Sequence, residues 1–386
     1  MKKKICFITG SRADYGLLKP LMKKIKNSKK FLLQTIITGS HLSSNFGNTY
    51  KEIIKDKFKI NEKVNIIFST DSKFSVIKST SVGMMSFANK LTKLNPDIIV
   101  ILGDRYEIFA AAFSSYIMKK PIIHIAGGES TIGSFDEALR HSITKMSYLH
   151  FAIAEQYKKR IIQLGENPKN VFNVGNLSIE SIKNESLFNK KNIEKKFGFK
   201  FFKKNLLITF HPETLDEISS TKHFNQLLIA LKHVKDTFII FTFPNADTEG
   251  RLLIKMIKKF LKECPGNSIA FKSLGQKNYF SILQFVDGVI GNSSSGLSEA
   301  PFFGIGTVNI GDRQKGRTSL ESVINCKNNK QSILKAIDKL YTINFKKKTK
   351  IISKKIGKGN SSQKIYNIIS KYKFPKNIKK KFFDII

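Results

Sequence analysis

Apolar residues in this chain fall into short runs separated by amphipathic stretches, and the alternation predicts its elements. Strand-sized runs lie at Lys4–Thr9, Phe31–Thr38, Val64–Ser69, Asp97–Leu102, Pro121–Ile125, His150–Ala154 and Val171–Val174. Helical spacing is expected over Gly16–Ile25, Ser72–Leu94, Tyr106–Lys119, Phe135–Tyr148 and Glu155–Leu164, with Pro20 tolerated in the early turns of the first. Strands alternating with helices predict a parallel sheet covered on both faces.

The pattern pauses over Glu180–Asn205, a stretch rich in Lys and Asn, and then restarts. Strands are expected at Leu206–Phe210, Thr237–Phe243, Ser268–Phe271, Gly288–Gly291 and Thr307–Ile310. They alternate with helices at Lys222–Val234, Thr248–Glu263, Lys277–Phe285 and Gly296–Phe303. After Phe345 the only further element expected is a helix over Gln363–Tyr372. The expected class is therefore α/β, with two Rossmann-like domains over 1–180 and 181–360 and a helical tail over 361–386.

Composition narrows this picture. The 386 residues exceed the usual size of one domain, and a hydrophobic share of 41% supports substantial cores. No apolar run approaches the roughly 20 residues that span a bilayer, so no membrane partner is expected. Met1–Lys4 followed by Ile5–Thr9 reads as a first strand rather than a leader, because the apolar run turns at once into Gly10-Ser11-Arg12. Cys6, Cys264 and Cys326 are far apart and form no C-x-x-C pair, which argues against a disulfide framework or a zinc site. That usage fits a reducing cytoplasm. The net charge of +38 is spread through almost every segment and accompanies no basic–aromatic motif, so specific nucleic-acid binding is not expected. The field would still draw in a nucleotide diphosphate.

Ligands of doubly wound sheets sit beyond the carboxyl ends of the strands. The chemically richest segments fall there: Thr9–Gly16, Leu102–Glu107, His124–Glu129 and Ser134–His141 in the first half. The second half supplies Phe210–Thr214, Pro244–Asp247, Gly291–Gly296 and Gly311–Arg317. In Gly291-Asn292-Ser293-Ser294-Ser295-Gly296 a strand ends in glycine and serines open a helix, with Glu299 in its first turn. Hydroxyls and free helix N–H groups there suit a pyrophosphate, and the carboxylate suits ribose hydroxyls. A plain serine cap is the alternative. No Walker loop or G-x-G-x-x-G is present.

Asp104, Glu129 and Asp136 lie at three separate strand or helix ends and can converge on one sugar ring. Carboxylates whose pKa values are set apart by burial and neighbouring charge can remove and return protons. The alternatives are that Asp136 caps its helix and that Asp104–Arg105 is a turn with a surface ion pair. His124, His141 and His150 read as structural. His211, in a His-Pro-Glu directly after an apolar strand, reads as a phosphate or substrate contact.

Together TGSRADYG (Thr9–Gly16), LGDRYE (Leu102–Glu107), HIAGGE (His124–Glu129), DEALRHSITKMS (Asp136–Ser147), FHPET (Phe210–Thr214), GNSSSG (Gly291–Gly296) and NIGDRQKGR (Asn309–Arg317) resemble the hydrolysing UDP-N-acetylglucosamine 2-epimerases, most of all the bacterial sialic-acid-synthesis (NeuC) type. The resemblance runs in order from about residue 3 to residue 317. It implies a glycosyltransferase-B-like pair of Rossmann domains facing across a cleft that holds UDP, with the C-terminal helix returning to the first. It implies conversion of UDP-N-acetylglucosamine and water to N-acetylmannosamine and UDP, without nicotinamide, other cofactor or metal. Carried over by position, Arg12, His211, Asn245, Ser293, Ser294, Glu299 and Arg313 would contact UDP, with Glu299 on the ribose. Asp104 and Asp136 would be acid/base groups, with Glu129 beside them and Arg105 holding the substrate. Some relatives carry a glutamate, a candidate base, where this chain has Ala126, and its role here would fall to Glu129, Asp136 or another group. The same chemistry on UDP-N,N'-diacetylbacillosamine, or a glycosyltransferase reaction, are the alternatives. A homo-oligomer, dimer or tetramer, is expected.

Overall fold

The structure is a computed structural model that describes residues 2–385 apart from 67–71, 133, 214–217, 245–248, 358 and 376. The chain divides into two compact units, one formed by Met1–Glu129, Phe135–Ser181 and Lys358–Ile386, the other by Ser130–Ser134 and Ile182–Gly357.

The first unit is built on seven parallel strands: β1 (Lys3–Thr9), β2 (Phe31–Thr38), β3 (Glu62–Val64), β4 (Ile98–Leu102), β5 (Ile122–Ile125), β6 (Leu149–Ala152) and β7 (Val171–Asn173). Their order is β3-β2-β1-β4-β5-β6-β7. The five residues of β4, Ile-Ile-Val-Ile-Leu, are all buried, as a strand covered by helices on both faces must be. Phe7, Val100 and Ile123 face one core with Leu18 and Ile365, and Ile8, Ile99 and Ile101 face another with Phe87. The C-terminal helix Ser361–Lys371 completes the first of these cores through Ile365 and Ile369. Glu180 anchors its start, accepting the Ser362 N–H at 2.6 Å.

The second unit repeats the plan with β8 (Lys204–Thr209), β9 (Thr237–Thr242), β10 (Ser268–Phe271), β11 (Gly288–Gly291), β12 (Gly306–Ile310) and β13 (Val323–Cys326), all parallel in the order β10-β9-β8-β11-β12-β13. Both sheets follow the Rossmann strand order, which reverses between β1 and β4 and again between β8 and β11. A crevice for a ligand is expected at each reversal.

Several elements depart from the sequence reading. The first helix, Arg12–Lys26, starts four residues before the expected Gly16. Ser11 caps it and Asp14 returns a bond to the Ser11 N–H at 2.7 Å, a capping box that apolar spacing does not register. The third strand ends at Val64, and residues 67–69 of the expected run lie outside the described residues. The Lys- and Asn-rich stretch holds the helix Lys190–Phe197, which buries Ile193. The helix expected over Gly296–Phe303 is broken into Ser295–Ser298 and a 3₁₀ turn Ala300–Phe303, because Pro301 lacks an N–H. Strand β13 and the helices Tyr50–Lys55, Lys330–Tyr341 and Ile343–Lys355 were not expected. Among the described residues no helix is long and apolar enough to cross a membrane.

Candidate active site

In the first unit the site grows from the ends of β1, β4 and β5. Gly103 follows β4 with φ +82°, turning the chain so that Asp104 and Arg105 leave the strand before the helix Tyr106–Ile117 begins. The Asp104 carboxylate meets the guanidinium of Arg140, from the helix Asp136–Met146. Arg140 is only 1% exposed; its Nη1 also donates to the Glu129 carbonyl at 2.9 Å and to Glu137 Oε2 at 3.0 Å. Burial opposes its charge, but the carboxylates of Asp104, Glu129 and Glu137 outweigh burial and hold the guanidinium above its ordinary pKa.

One buried cation thus gathers Asp104 and Glu129 beside the helix that Asp136 opens. Asp136 stands four residues before Arg140, on the same helix face. It is the first helical residue, with Phe135 in the cap position. The loop between β5 and this helix is tightly confined. Ala126 takes φ +62° and donates its N–H to Phe151, while Gly128 takes φ +78° where a Cβ would strike the Tyr157 carbonyl. A non-glycine residue in the left-handed region costs on the order of 1 kcal/mol, which Ala126 bears here.

The three histidines of this unit read as structural each bind a group within it. His124 binds Thr144 Oγ1 and the Gly103 carbonyl, and burial pushes its pKa down to about 3, so the ring is neutral. His141 binds Glu137 and His150 binds Glu166. Arg105 turns its Nε–H to Glu107 at 2.7 Å. Arg12, in the first turn after β1, is half-buried and faces Glu52, whose pKa burial raises and Arg12 lowers.

In the second unit the site forms at the ends of β8, β11 and β12. Gly291 closes β11 at φ +134°, where any Cβ would strike the Thr209 carbonyl, so only glycine permits this approach. Asn292, fully buried, then binds both backbone groups of His211 and accepts at its own carbonyl from Arg313 Nη1 at 3.2 Å and Gln314 Nε2 at 2.7 Å. His211, Ser293 and Arg313 are thereby brought together. Ser293 is half-buried and Ser294 exposed, with Ser295 Oγ bound to Tyr279 at 2.6 Å. Glu299 ends the four-residue helix instead of sitting in the first turn of a long one, so the macrodipole contributes less than the sequence suggested. The donors that remain are serine hydroxyls, backbone N–H groups and Arg313. Asn245 lies outside the described residues. A cavity of about 600 Å³ opens at the ends of β12 and β13, lined by Glu213, Leu297, Asn309, Gln314, Arg317 and Asn328.

Arg140, Asn292 and Glu107 were not singled out from the sequence, although all three lie inside the strand-end motifs. The spacing of Asp136 and Arg140 was a legible signal. The partners of Asn292 and Glu107, distant in sequence, were not.

Two Rossmann-order sheets, each carrying polar side chains where its strand order reverses, define a glycosyltransferase-B-like α/β protein. The chain belongs to the UDP-N-acetylglucosamine 2-epimerase family, which it matches over residues 23–370. It is 43% identical to a GDP/UDP-N,N'-diacetylbacillosamine 2-epimerase (hydrolyzing) of Campylobacter jejuni, over 89% of each chain. It is 40% identical to the polysialic acid biosynthesis protein P7 of Escherichia coli, over 87% of this chain and 85% of that one. The crystal structure of the UDP-GlcNAc 2-epimerase from Neisseria meningitidis bound to UDP-GlcNAc shares its fold, with a TM-score of 0.78 at 19% identity over 96% and 100% of the two chains.

Proposed function

We propose that this protein is a hydrolysing UDP-N-acetylglucosamine 2-epimerase, converting UDP-N-acetylglucosamine and water to N-acetylmannosamine and UDP. The observation that carries the reading is the Arg140 cluster, which holds Asp104 and the Glu129 backbone on one buried guanidinium, a turn away from Asp136. Carboxylates whose surroundings set their pKa values apart can take a proton at one group and give one at another.

In the proposed cycle a carboxylate removes the C2 proton of the sugar. The electron pair of that C–H bond forms a C1–C2 double bond as the C1–O bond breaks, and its electrons leave with UDP. Water then adds its hydroxyl at C1 of the 2-acetamidoglucal, and a proton returns to C2 from the opposite face. The balance consumes one water and needs no redox partner. Asp104 and Asp136 are the proposed acid/base groups, with Glu129 beside them taking up what Ala126 cannot supply. Arg105 holds the substrate, while Arg12, His211, Asn245, Ser293, Ser294, Glu299 and Arg313 hold UDP, Glu299 at the ribose.

The test is turnover in D2O. UDP release with one deuterium at C2 of the N-acetylmannosamine is expected; product without solvent deuterium there rules out the elimination. A second reading has a specific support, the printed activity of the 43% identical relative. The same steps would act on UDP-N,N'-diacetylbacillosamine, with the sugar pocket around Thr131–Phe135 and Ser43–Phe46 deciding between them. Side-by-side turnover of the two UDP-sugars separates the readings. Free reducing sugar formed with no acceptor present counts against a glycosyltransferase.

A further inference from the structure

Glu107 is the second residue of the helix Tyr106–Ile117 and is fully buried, yet it faces polar backbone rather than apolar core. Its Oε1 accepts the Nε–H of Arg105 at 2.7 Å, and its Oε2 has no hydrogen-bond partner among the described residues. Two glycines make room for it. A Cβ on Gly10 would stand 2.7 Å from Glu107 Cγ, and a Cβ on Gly39 would stand 2.9 Å from Oε1. These glycines belong to the loops after β1 and β2, and the loops are themselves joined: Ser40 Oγ and the His41 N–H donate to the Gly10 carbonyl at 3.0 and 3.3 Å.

On its other side the Gly10 turn is held by Asp14, which accepts the Gly10 N–H at 2.8 Å and the Ser11 N–H at 2.7 Å. The turn that leads to Arg12 is therefore gripped between two acidic side chains. Keeping a carboxylate out of water with one oxygen unsatisfied lowers stability, and an apolar residue of the same shape would avoid that loss. Burial holds the Glu107 carboxyl above its usual pKa, with Arg105 opposing and Asp14 reinforcing the shift. A costly group that touches three strand-end loops at once points to a role in the site.

We propose that Glu107 is a positioning residue: it fixes Arg105 by its Nε edge and sets the Gly10 and Gly39 loops, so that Arg12 and Arg105 are held ready for the UDP-sugar. This rests on the function proposed above. Glu107 acts through Arg105 and the Gly10 turn and takes no proton from the sugar.

The test is a double-mutant cycle on the full chain, reading UDP release, with thermal unfolding as the control for folding. Glu107→Gln keeps the shape and removes the charge; it is expected to melt within a few degrees of wild type while kcat/KM falls about tenfold or more. Arg105→Lys, which lacks the Nε–H, is expected to fall similarly, and the double variant no further than the worse single. If Glu107→Gln does not fold, Glu107→Asp carries the same comparison, because it keeps the charge and draws the carboxylate back by one methylene. Activity of the tested Glu107 variant within about twofold of wild type, or losses that simply multiply in the double variant, would overturn the inference while leaving the proposed function standing. A wild type inactive on UDP-sugars overturns both.

Discussion

The side chain of Asn292 binds both backbone groups of His211: Oδ1 accepts the His211 N–H at 2.7 Å, and Nδ2 donates to the His211 carbonyl at 2.8 Å. The two residues are 81 positions apart and end neighbouring strands, so one amide side chain locks the two loops at the strand-order reversal of the second sheet. Asn292→Ala would leave a buried donor and a buried acceptor unsatisfied. A loss of about 2–6 kcal/mol in urea unfolding is expected, because each orphaned group costs about 1–3 kcal/mol. Calorimetric titration with UDP should show binding weakened at least tenfold; unchanged affinity would remove His211 and its clasp from the nucleotide site.

Arg140 is a buried cation whose charge is balanced by acids from two other segments and its own helix. Replacing it with methionine strands those acids, and a loss of about 3–5 kcal/mol is expected in chemical denaturation. Asp104→Asn keeps the shape and removes one partner. It should fold and lower kcat by roughly 10²–10⁴, the range of a lost acid/base group. A folded Asp104→Asn with near-normal kcat would move the proton transfer to another residue.

Acid should destabilise the first unit well before its ordinary carboxylates titrate. Burial lowers the pKa of His41, His124 and His150, with His124 brought down to about 3. In the window from about pH 6.5 down to these lowered values the unfolded chain binds protons that the folded chain refuses, so stability falls as pH falls. From pH 6.5 to pH 5 His124 contributes about 2 kcal/mol of that loss, and His41 and His150 add to it in the same direction. Glu166, lowered to about 2 because its histidine and lysine partners outweigh burial, extends the loss below pH 4.5, while Glu107 works in the opposite direction. Melting temperatures across pH 7.5 to 5 check this, and a flat profile would show that the histidines are not kept neutral.

The C-terminal helix Ser361–Lys371 is held at its first turn by Glu180, which binds the Ser362 N–H and hydroxyl. Glu180→Ala removes a charge-assisted cap and should cost about 1–3 kcal/mol, felt locally. Hydrogen exchange is expected to quicken in this helix while β4 and β5 stay protected. Uniform quickening across the sheet would mean that the helix is not a separable element.

Buried strands were the most legible part of the fold. Phe31–Thr38, Ser268–Phe271 and Gly288–Gly291 fall on their expected bounds, because a short, mainly apolar run between polar and turn residues marks a strand even where, as at Ser268–Phe271, its burial is only partial. Helix starts were less legible. The Arg12–Lys26 helix begins at a polar capping box that carries no apolar period, and Pro301 cuts a helix that periodicity carried through. The strand-end positions of Asp104, Glu129, Asp136, His211 and Ser293 followed from the same alternation. Their partners did not.

The sequence by itself determined the two α/β halves and where their reactive side chains leave the strands, since both follow from local period and chain order. Only the tertiary structure decided that Asp104 meets Arg140, that Asn292 clasps His211, and that Glu107 lies against Gly10 and Gly39. Those pairings join residues up to 97 positions apart, as with Glu107 and Gly10, and no local pattern encodes which buried polar groups will satisfy one another.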